Sequence, residues 1–324
     1  MKTLIQFLLA TFTILACVCC KTAKEEKTDD KLNEITFADP TIFVENGKYY
    51  LTGTRNREPN GFAIFESTDL KEWKTANGDT LQLILRKGDS AYGERGFWAP
   101  QLFKEGNRYY LTYTANEHTA LASSNSVYGP FRQDSIRPID ETAKNIEDSD
   151  GKYYLYHVRF NKGNYLWVAE FDLQKGCIKP ETLKKCFDNT EAWERTPNYK
   201  SAPVMEGPTV VKLDDLYYLF YSANHFKNID YAVGYATSTS PYGPWKKHAN
   251  NPIIHRSIVH ENGSGHGDLF KGLDGRYYYV YHVHHSDSIV QPRKTRIVPL
   301  ILKKENDVYS ITIDKENVIK PMWK

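Results

Sequence analysis

Acidic, aromatic and histidine side chains recur at a nearly constant distance before pairs of tyrosines. The 324-residue chain has five such pairs, which begin at Tyr49, Tyr109, Tyr153, Tyr217 and Tyr277. Asp39 stands ten residues before the first pair, and Glu206 stands eleven before the fourth. The related positions before the other pairs are Trp98, Asp140 and His266, with Asp140 thirteen residues before its pair. Equivalent positions of a repeat occupy equivalent places in a fold, so we expect these side chains to converge.

Three carboxylates among converging side chains indicate a functional site. Carboxylates packed together raise one another's pKa and destabilise the fold, and such groups concentrate where chemistry occurs. Hydrolysis of a glycosidic bond needs two carboxyl groups. One is protonated and donates its proton to the leaving oxygen, while the other is ionised and activates water on the opposite face of the sugar. A tryptophan in the same cavity offers an apolar wall for a sugar ring. The residue types therefore favour a glycosidase.

Strand-like segments surround each tyrosine pair. Each pair follows a turn, as in Gly47-Lys48-Tyr49-Tyr50, and a short β-type run such as Thr41-Ile42-Phe43-Val44 precedes that turn. This is the pattern of a β-hairpin. A second repeat has a compatible period, because ASSNSVYGPF at 122–131 resembles ATSTSPYGPW at 236–245. No segment shows a sustained helical period flanked by caps.

These repeats predict an all-β fold, namely a five-bladed β-propeller with four antiparallel strands in each blade. Units of about 40 to 50 residues with four strands are typical of propeller blades. The positions before the tyrosine pairs begin the innermost strands, which line the axis, so Asp39, Asp140 and Glu206 should face one cavity. A β-sandwich with coincidental tyrosine pairs is the alternative, and the agreement of two independent motifs argues against it.

On these motifs the chain resembles glycoside hydrolase family 43 from about Thr36 to Leu300. The matching segments, in this order, are Ala38-Asp39-Pro40-Thr41-Ile42, Phe97-Trp98-Ala99-Pro100, Ile139-Asp140, Met205-Glu206-Gly207-Pro208 and Gly265-His266-Gly267. Any one of these segments alone would be weak, whereas their combination and spacing are specific.

The resemblance implies a role for each matched residue. Asp39 corresponds to the general base, Glu206 to the general acid, and Asp140 to a third carboxylate that raises the pKa of the acid and orients it. The residues implied to bind substrate are Trp98 and Arg293. His266 corresponds to a histidine that helps to hold a calcium ion or a water cluster, so a structural calcium near His266 is compatible with the resemblance, although the reaction requires no cofactor.

Two features depart from the simple pattern. Asp140 is followed by Glu141-Thr142-Ala143-Lys144 instead of proline or a short apolar run, which leaves Asp148 as the alternative carboxylate. A cluster of histidines near the C-terminus invites a metal interpretation. In a strand, however, His282 and His284 share one face while His285 takes the other, and we interpret these three histidines as structural.

The resemblance implies an inverting hydrolase that releases terminal α-L-arabinofuranosyl or β-D-xylosyl residues from plant-type glycans. The chain ends soon after the fifth unit, without the sandwich domain of many β-xylosidases in the family, which favours the arabinofuranosyl substrate. An endo-acting arabinanase of the same family and a propeller that binds sugar without cleaving it are the alternatives.

The N-terminus indicates export. Lys2 and the apolar stretch from Leu4 to Ala16 predict a signal peptide over residues 1–16. The run Ile14-Leu15-Ala16-Cys17 resembles a bacterial lipobox, a charged tether extends over 17–33, and the catalytic domain covers 34–324. We expect a periplasmic or cell-surface lipoprotein anchored at Cys17, which touches the membrane only through its lipid. A plain cleaved signal is the alternative.

Composition limits the partners of the protein. With 42 basic and 40 acidic residues, the formal net charge is +2, so charge indicates no nucleic-acid partner, and an oligo- or polysaccharide substrate is expected instead. Cys177 and Cys186 form a disulfide in an oxidising compartment or remain as two buried thiols.

Overall fold

Antiparallel strands make up nearly all of the structure, a computed structural model that describes residues 32–76, 81–139 and 152–323. The first strands are β1 (Asn33–Glu34), β2 (Ala38–Glu45), β3 (Lys48–Thr54), β4 (Gly61–Ala63), β5 (Phe65–Ser67), β6 (Glu72–Trp73) and β7 (Leu83–Arg86). The next are β8 (Trp98–Glu105), β9 (Arg108–Ala115), β10 (His118–Ser124), β11 (Tyr153–Phe160), β12 (Asn164–Asp172), β13 (Cys177–Ile178) and β14 (Lys184–Lys185). The last are β15 (Met205–Leu213), β16 (Leu216–Ala223), β17 (Ala232–Ser238), β18 (Lys246–Lys247), β19 (Gly265–Lys271), β20 (Tyr277–Val283), β21 (Lys294–Glu305), β22 (Val308–Ile313) and β23 (Met322–Trp323). Helix in the described residues is limited to α1 (Arg256–Val259) and the 3-10 turns Pro180–Thr182, Ala192–Glu194 and Lys315–Asn317.

Five of the sheets follow one another along the chain, and we number them I to V. Sheet I has the order β2-β3-β5, sheet II β8-β9-β10, sheet III β11-β12 with both β13 and β14 on β12, sheet IV β15-β16-β17-β18 and sheet V β19-β20-β21-β22. Each sheet contains one tyrosine pair, in β3, β9, β11, β16 and β20 respectively. The predicted β-rich repeat is therefore confirmed, and sheets I to V have three or four strands each in the described residues.

The tyrosine pair recurs because its two rings join one sheet to both of its neighbours. Successive side chains of a strand point to opposite faces. Tyr49 accordingly packs on Phe270 of sheet V, with ring centroids 6.1 Å apart, while Tyr50 packs on Tyr128 beyond sheet II at 5.7 Å. The five buried apolar clusters of the described residues lie between sheets I and II, II and III, III and IV, IV and V, and V and I. The core is thus divided into layers between consecutive sheets.

A β-bulge recurs near the start of the first strand in four sheets. The pairing register shifts between Ala38 and Thr41, Trp98 and Gln101, Glu206 and Thr209, and Gly265 and Asp268. One residue in each bulge has a left-handed backbone, namely Asp39 (φ 48°), Ala99 (φ 46°), Gly207 (φ 60°) and His266 (φ 42°). Such a conformation costs a non-glycine residue about 1–2 kcal/mol, and bulges re-aim the side chains around them. The surrounding structure must therefore hold these positions in place.

A buried carboxylate ties the strands together directly behind the bulges. Asp268, 9% exposed, accepts hydrogen bonds from Thr41 Oγ1 of sheet I and Thr209 Oγ1 of sheet IV, both at 2.6 Å. Gln101 Nε2 of sheet II donates to it at 3.4 Å, and the backbone N–H of Leu269 donates at 2.8 Å. Burial raises the pKa of Asp268, although these donors counter the effect. We call this four-sheet contact the Asp268 hub.

Several sequence predictions concern residues outside the described ranges. These are the signal peptide, the anchor at Cys17 and most of the tether, together with Asp140 and its alternative Asp148. No helix of the described residues is long and apolar enough to cross a membrane. Cys177 and Cys186 are free thiols, and Cys177 is buried.

The Asp268 hub makes a prediction about stability. Asp268→Ala should lower the free energy of unfolding by about 2–4 kcal/mol, because buried donors lose a charged acceptor. Thr41→Val should lower it by about 1–2 kcal/mol, and the two changes should be non-additive by about 1 kcal/mol or more. Urea unfolding of the single and double variants measures this coupling. Thr312→Val, at an exposed position of β22, is the control; additive effects of Asp268→Ala and Thr41→Val would contradict the hub.

Candidate active site

Asp39 lies in the first bulge with its carboxylate surrounded by donors. Its side chain is 7% exposed. Oδ2 accepts from Thr54 Oγ1 at 2.7 Å, and Oδ1 accepts from Arg293 Nη1 at 3.0 Å. The Nδ1 atoms of His282 and His266 lie 3.4 and 3.5 Å from Oδ1. Burial alone would raise the pKa of Asp39, but Arg293 and the two histidines hold it well below its usual value. Asp39 is therefore an ionised carboxylate at neutral pH.

Glu206 lies beside the bulge of sheet IV and has the opposite tendency. Its Oε1 accepts a hydrogen bond of 2.8 Å from Tyr231 Oη, and Tyr231 is fully buried. Burial raises the pKa of Glu206, and the negative charge of Asp39 raises it further. His266, Tyr231 and Arg293 counter only part of this shift. Glu206 is thus the group that retains a proton to higher pH.

His282 and Arg293 complete the surroundings of Asp39. The backbone N–H of Asp39 donates to His282 Nδ1 at 3.1 Å, and Arg293 Nη1 lies 3.1 Å from His282 Nε2. Burial first, and then Arg293, lower the pKa of His282 well below its usual value. Because Nδ1 of the neutral ring accepts from the Asp39 N–H, the ring proton is on Nε2, and Arg293 is the permanent cation next to Asp39. His282, which the sequence led us to interpret as structural, therefore contacts the candidate base.

Of the remaining predicted residues, the structure describes Trp98 but not Asp140. Trp98 is 37% exposed and donates from Nε1 to Asn56 Oδ1 at 3.2 Å. The next residue, Ala99, donates its N–H to Thr54 Oγ1 at 2.9 Å, and Thr54 in turn donates to Asp39. Trp98 thus offers an exposed ring at the edge of the site. Asp140 lies outside the described residues.

The donor set around His266 gives no support to a metal site. Over residues 32–76, 81–139 and 152–323, no group of three or more His, Cys, Asp or Glu side chains is arranged to hold a metal ion. His266 lies against Asp39 instead, and its backbone N–H donates to Ser222 Oγ at 2.8 Å. Calcium near His266 remains a prediction, and no chemical step below depends on it.

Sequence spacing located Asp39, Glu206 and His266 but not the contacts of Tyr231 and His282. Tyr231 and His282 lie 25 and 243 residues from the carboxylates they contact. The alternation of His282 and His284 in the sequence was the signal for His282, and it does not show which element faces this histidine. In the structure, the strand ends at Val283. The resulting pair, one ionised carboxylate and one carboxyl with a raised pKa, has the properties of a general base and a general acid.

Comparison with known proteins agrees with this chemistry. A sequence model described as glycosyl hydrolases family 43 matches residues 33–306. A putative beta-xylosidase of Escherichia coli K12 is 26% identical over 268 residues, which are 75% of this chain and 47% of that protein. The Aspergillus niger beta-D-galactofuranosidase xynD is 23% identical over 308 residues, 87% of this chain and 84% of that protein. The chain spans about half the length of several such relatives.

Solved structures share the fold over nearly the same region. A crystal structure of an endo-1,4-beta-xylanase from Bacteroides thetaiotaomicron superposes with a TM-score of 0.80 at 39% identity, covering 91% of this chain and 99% of that one. A thermostable family-43 glycoside hydrolase superposes with a TM-score of 0.71 at 28% identity, covering 86% of this chain and 93% of that one. Because the family model matches residues 33–306, most of the sequence, this chain belongs to glycosyl hydrolases family 43.

Proposed function

We propose that this protein is an inverting glycosidase that releases terminal β-D-xylosyl or α-L-arabinofuranosyl residues from plant-type glycans. The observation that carries the proposal is a pair of carboxyl groups with opposite pKa shifts, in which the pKa of Asp39 is held low and that of Glu206 is raised. Relatives named as xylosidases and as an endo-1,4-beta-xylanase support the xylosyl unit. A relative named as an endo-arabinanase supports the arabinofuranosyl unit.

The proposed reaction is a single displacement. Asp39 accepts a proton from water as the water oxygen attacks the anomeric carbon. The bond from that carbon to the leaving oxygen breaks, and Glu206 gives its proton to the leaving oxygen. Attack from the face opposite the leaving group inverts the anomeric configuration. Arg293 and Thr54 keep the Asp39 carboxylate in place, and Asp140 is assigned by resemblance as the carboxylate that orients Glu206.

The fold that supports this reaction is, in our proposal, a five-bladed propeller with sheets I to V as blades. Its support is the layered core, in which each sheet packs on the next and sheet V packs on sheet I. The first strands β8, β2, β19 and β15 also contact one another in that order. Such an arrangement brings residues from different sheets to one axial cavity.

Endo-action is the second candidate. It is favoured by the names of the Bacteroides thetaiotaomicron endo-1,4-beta-xylanase and the Bacillus subtilis endo-arabinanase, which is 26% identical over 259 residues. A panel of nitrophenyl xyloside and arabinofuranoside, xylo- and arabino-oligosaccharides, xylan and arabinan distinguishes the two. Monosaccharide as the first product supports terminal release, whereas a ladder of oligosaccharides supports cleavage within the chain.

Removing either carboxyl group should abolish turnover. Asp39→Asn and Glu206→Gln should each lower kcat by about 10²–10⁴-fold, the usual contribution of general acid–base catalysis. Steady-state kinetics on the substrate cleaved by the unaltered protein measures the loss. Asp307→Asn and Glu94→Gln, whose carboxylates are 97% and 79% exposed, are matched controls. Proton NMR of the first-formed anomer reports the stereochemistry, and a retained configuration would contradict the single displacement.

The alkaline limb of the pH profile should report Glu206. The acid must be protonated, so activity falls as pH rises through the raised pKa of Glu206. Tyr231→Phe removes a hydrogen bond that lowers this pKa, and the limb should therefore move to higher pH. The matched control is Tyr281→Phe, since the Tyr281 hydroxyl is buried without a partner among the described residues. An alkaline limb that stays in place, or moves to lower pH, would show that Glu206 does not set it.

The acid limb should report Asp39 in the same way. The base must be ionised, so activity falls as pH drops through the lowered pKa of Asp39. Arg293→Met removes the cation that most strongly opposes the effect of burial, and the acid limb should move to higher pH with a lower maximum rate. The free energy of unfolding should also fall as the pH falls. The contribution of Asp39 to this free energy is present above its unfolded-state pKa and is lost as pH falls through its folded-state pKa. An unchanged acid limb would show that Arg293 does not set the pKa of the catalytic base.

A further inference from the structure

Tyr231 contacts the proposed acid from a fully buried position. Its Oη donates to Glu206 Oε1 at 2.8 Å, and this hydroxyl has no other hydrogen-bond partner within residues 32–76, 81–139 and 152–323. Burial first, and then the negative charges of Glu206 and Asp39, raise the pKa of Tyr231 well above its usual value. The hydroxyl therefore keeps its proton at neutral pH and acts as a donor to Glu206.

The two carboxyl oxygens of Glu206 are consequently not equivalent. Oε1 accepts from Tyr231, whereas Oε2 makes no hydrogen bond to any residue that the structure describes, and the side chain is partly exposed. A proton on Oε2 preserves the bond from Tyr231. A proton on Oε1 would leave the buried Tyr231 hydroxyl without an acceptor, which is unfavourable. Oε2 is thus the favoured site for the proton of the neutral acid.

Two neighbours hold the Tyr231 ring in place. The ring stacks on His282, with centroids 5.6 Å apart and an interplanar angle of 23°. Gly265, which pairs with His282 across β19 and β20, leaves the space that the ring occupies, because a Cβ at Gly265 would lie 2.4 Å from Tyr231 Cδ1. His282 also accepts the backbone N–H of Asp39. The tyrosine that contacts the acid therefore packs on the histidine that contacts the base.

The loop before Tyr231 is fixed by a buried asparagine. Asn228 is 1% exposed, and its Nδ2 donates to Thr196 Oγ1 at 3.0 Å. Its Oδ1 accepts from the Asp230 N–H at 2.9 Å, and its carbonyl oxygen accepts from the Tyr231 N–H at 3.0 Å. These bonds set the position of Tyr231 before a substrate binds, and catalytic groups depend on such alignment.

We propose that Tyr231 is a positioning residue that places the transferable proton of Glu206 on Oε2, the oxygen left open to the leaving group. Oε2 gives this proton to the leaving oxygen, which keeps the electron pair of the bond to the anomeric carbon as that bond breaks. Glu206 then carries a negative charge, and its hydrogen bond from Tyr231 strengthens because the acceptor is ionised. Tyr231 accordingly stabilises the transition state more than the ground state. This inference rests on the proposed glycosidase function, because it takes Glu206 to be the acid.

The test compares two glycosides of the mono- or oligosaccharide that the unaltered protein releases. One has a second sugar as its leaving group, which must be protonated, and the other has 2,4-dinitrophenolate, which departs without a proton. Tyr231→Phe keeps the ring and removes the donor. It should lower the ratio of kcat/KM for the sugar leaving group to kcat/KM for dinitrophenolate about tenfold. Gly265→Ala, whose new Cβ must displace the Tyr231 ring, should lower the same ratio.

Two matched controls should leave this ratio unchanged. Tyr281→Phe removes a buried hydroxyl that has no partner in the described part of the chain. Gly272→Ala, directly after the other end of β19, crowds a different tyrosine, because its Cβ would lie 2.7 Å from Tyr278 Cε2. Lost packing alone slows both substrates equally. Equal losses on the two substrates in Tyr231→Phe, or a ratio within twofold of that of the unaltered protein, would therefore overturn the proposal.

Titration of Glu206 tests the same contact without turnover. Carbon-13 NMR of the labelled Glu206 carboxyl should show a higher pKa in Tyr231→Phe than in the unaltered protein, because the lost hydrogen bond favours the ionised form. Tyr281→Phe should leave this pKa unchanged, and an unchanged pKa in Tyr231→Phe would contradict the proposed contact. If the unaltered protein cleaves neither glycoside, the glycosidase proposal fails, while the titration still decides whether Tyr231 acts on Glu206.

Discussion

The hydrogen bonds to Asp268 are the constraint on which the site geometry depends. Thr41 lies two residues after Asp39, and Thr209 lies three residues after Glu206. Because both hydroxyls donate to one buried carboxylate, the strands that carry the candidate base and acid are held relative to one another. A carboxylate with several short donors is a stronger connection than apolar packing alone, since charged hydrogen bonds are directional and about twice as strong as neutral ones.

The two catalytic candidates show that loss of hydration can accompany opposite protonation. Asp39 and Glu206 both lose hydration, which raises the pKa of each. Only Asp39 has a guanidinium at 3.0 Å, and that cation together with His266, His282 and Thr54 outweighs the loss of hydration. Glu206 has one tyrosine hydroxyl at hydrogen-bonding distance, which is too little to offset burial and the nearby negative charge. The opposite protonation of two chemically similar groups thus follows from the charged groups placed next to each of them.

Much of the fold and the two principal carboxylates were predictable from the sequence because both follow the repeat. The tyrosine pairs mark the strands because the two rings of a pair pack on different neighbouring sheets, as Tyr49 and Tyr50 do. Two adjacent tyrosines are easily recognised in the sequence. Asp39 and Glu206 were found because they occupy a fixed offset from those pairs. The roles of His282, Tyr231 and Asp268 were not found, since they depend on contacts that local sequence patterns do not show. The Asp268 bond to Thr41, for example, spans 227 residues.

The repeated left-handed bulge has a consequence for how such a site can change. Asp39, Ala99, Gly207 and His266 share nearly the same backbone conformation at the same place in four sheets. The main chain therefore does not depend on which side chain is present, and chemistry can be redistributed among the sheets without rebuilding the scaffold. Ala99 already has this geometry. Its N–H donates to the Thr54 hydroxyl, which in turn donates to Asp39. It is the natural position at which to install an additional functional group in an altered glycosidase.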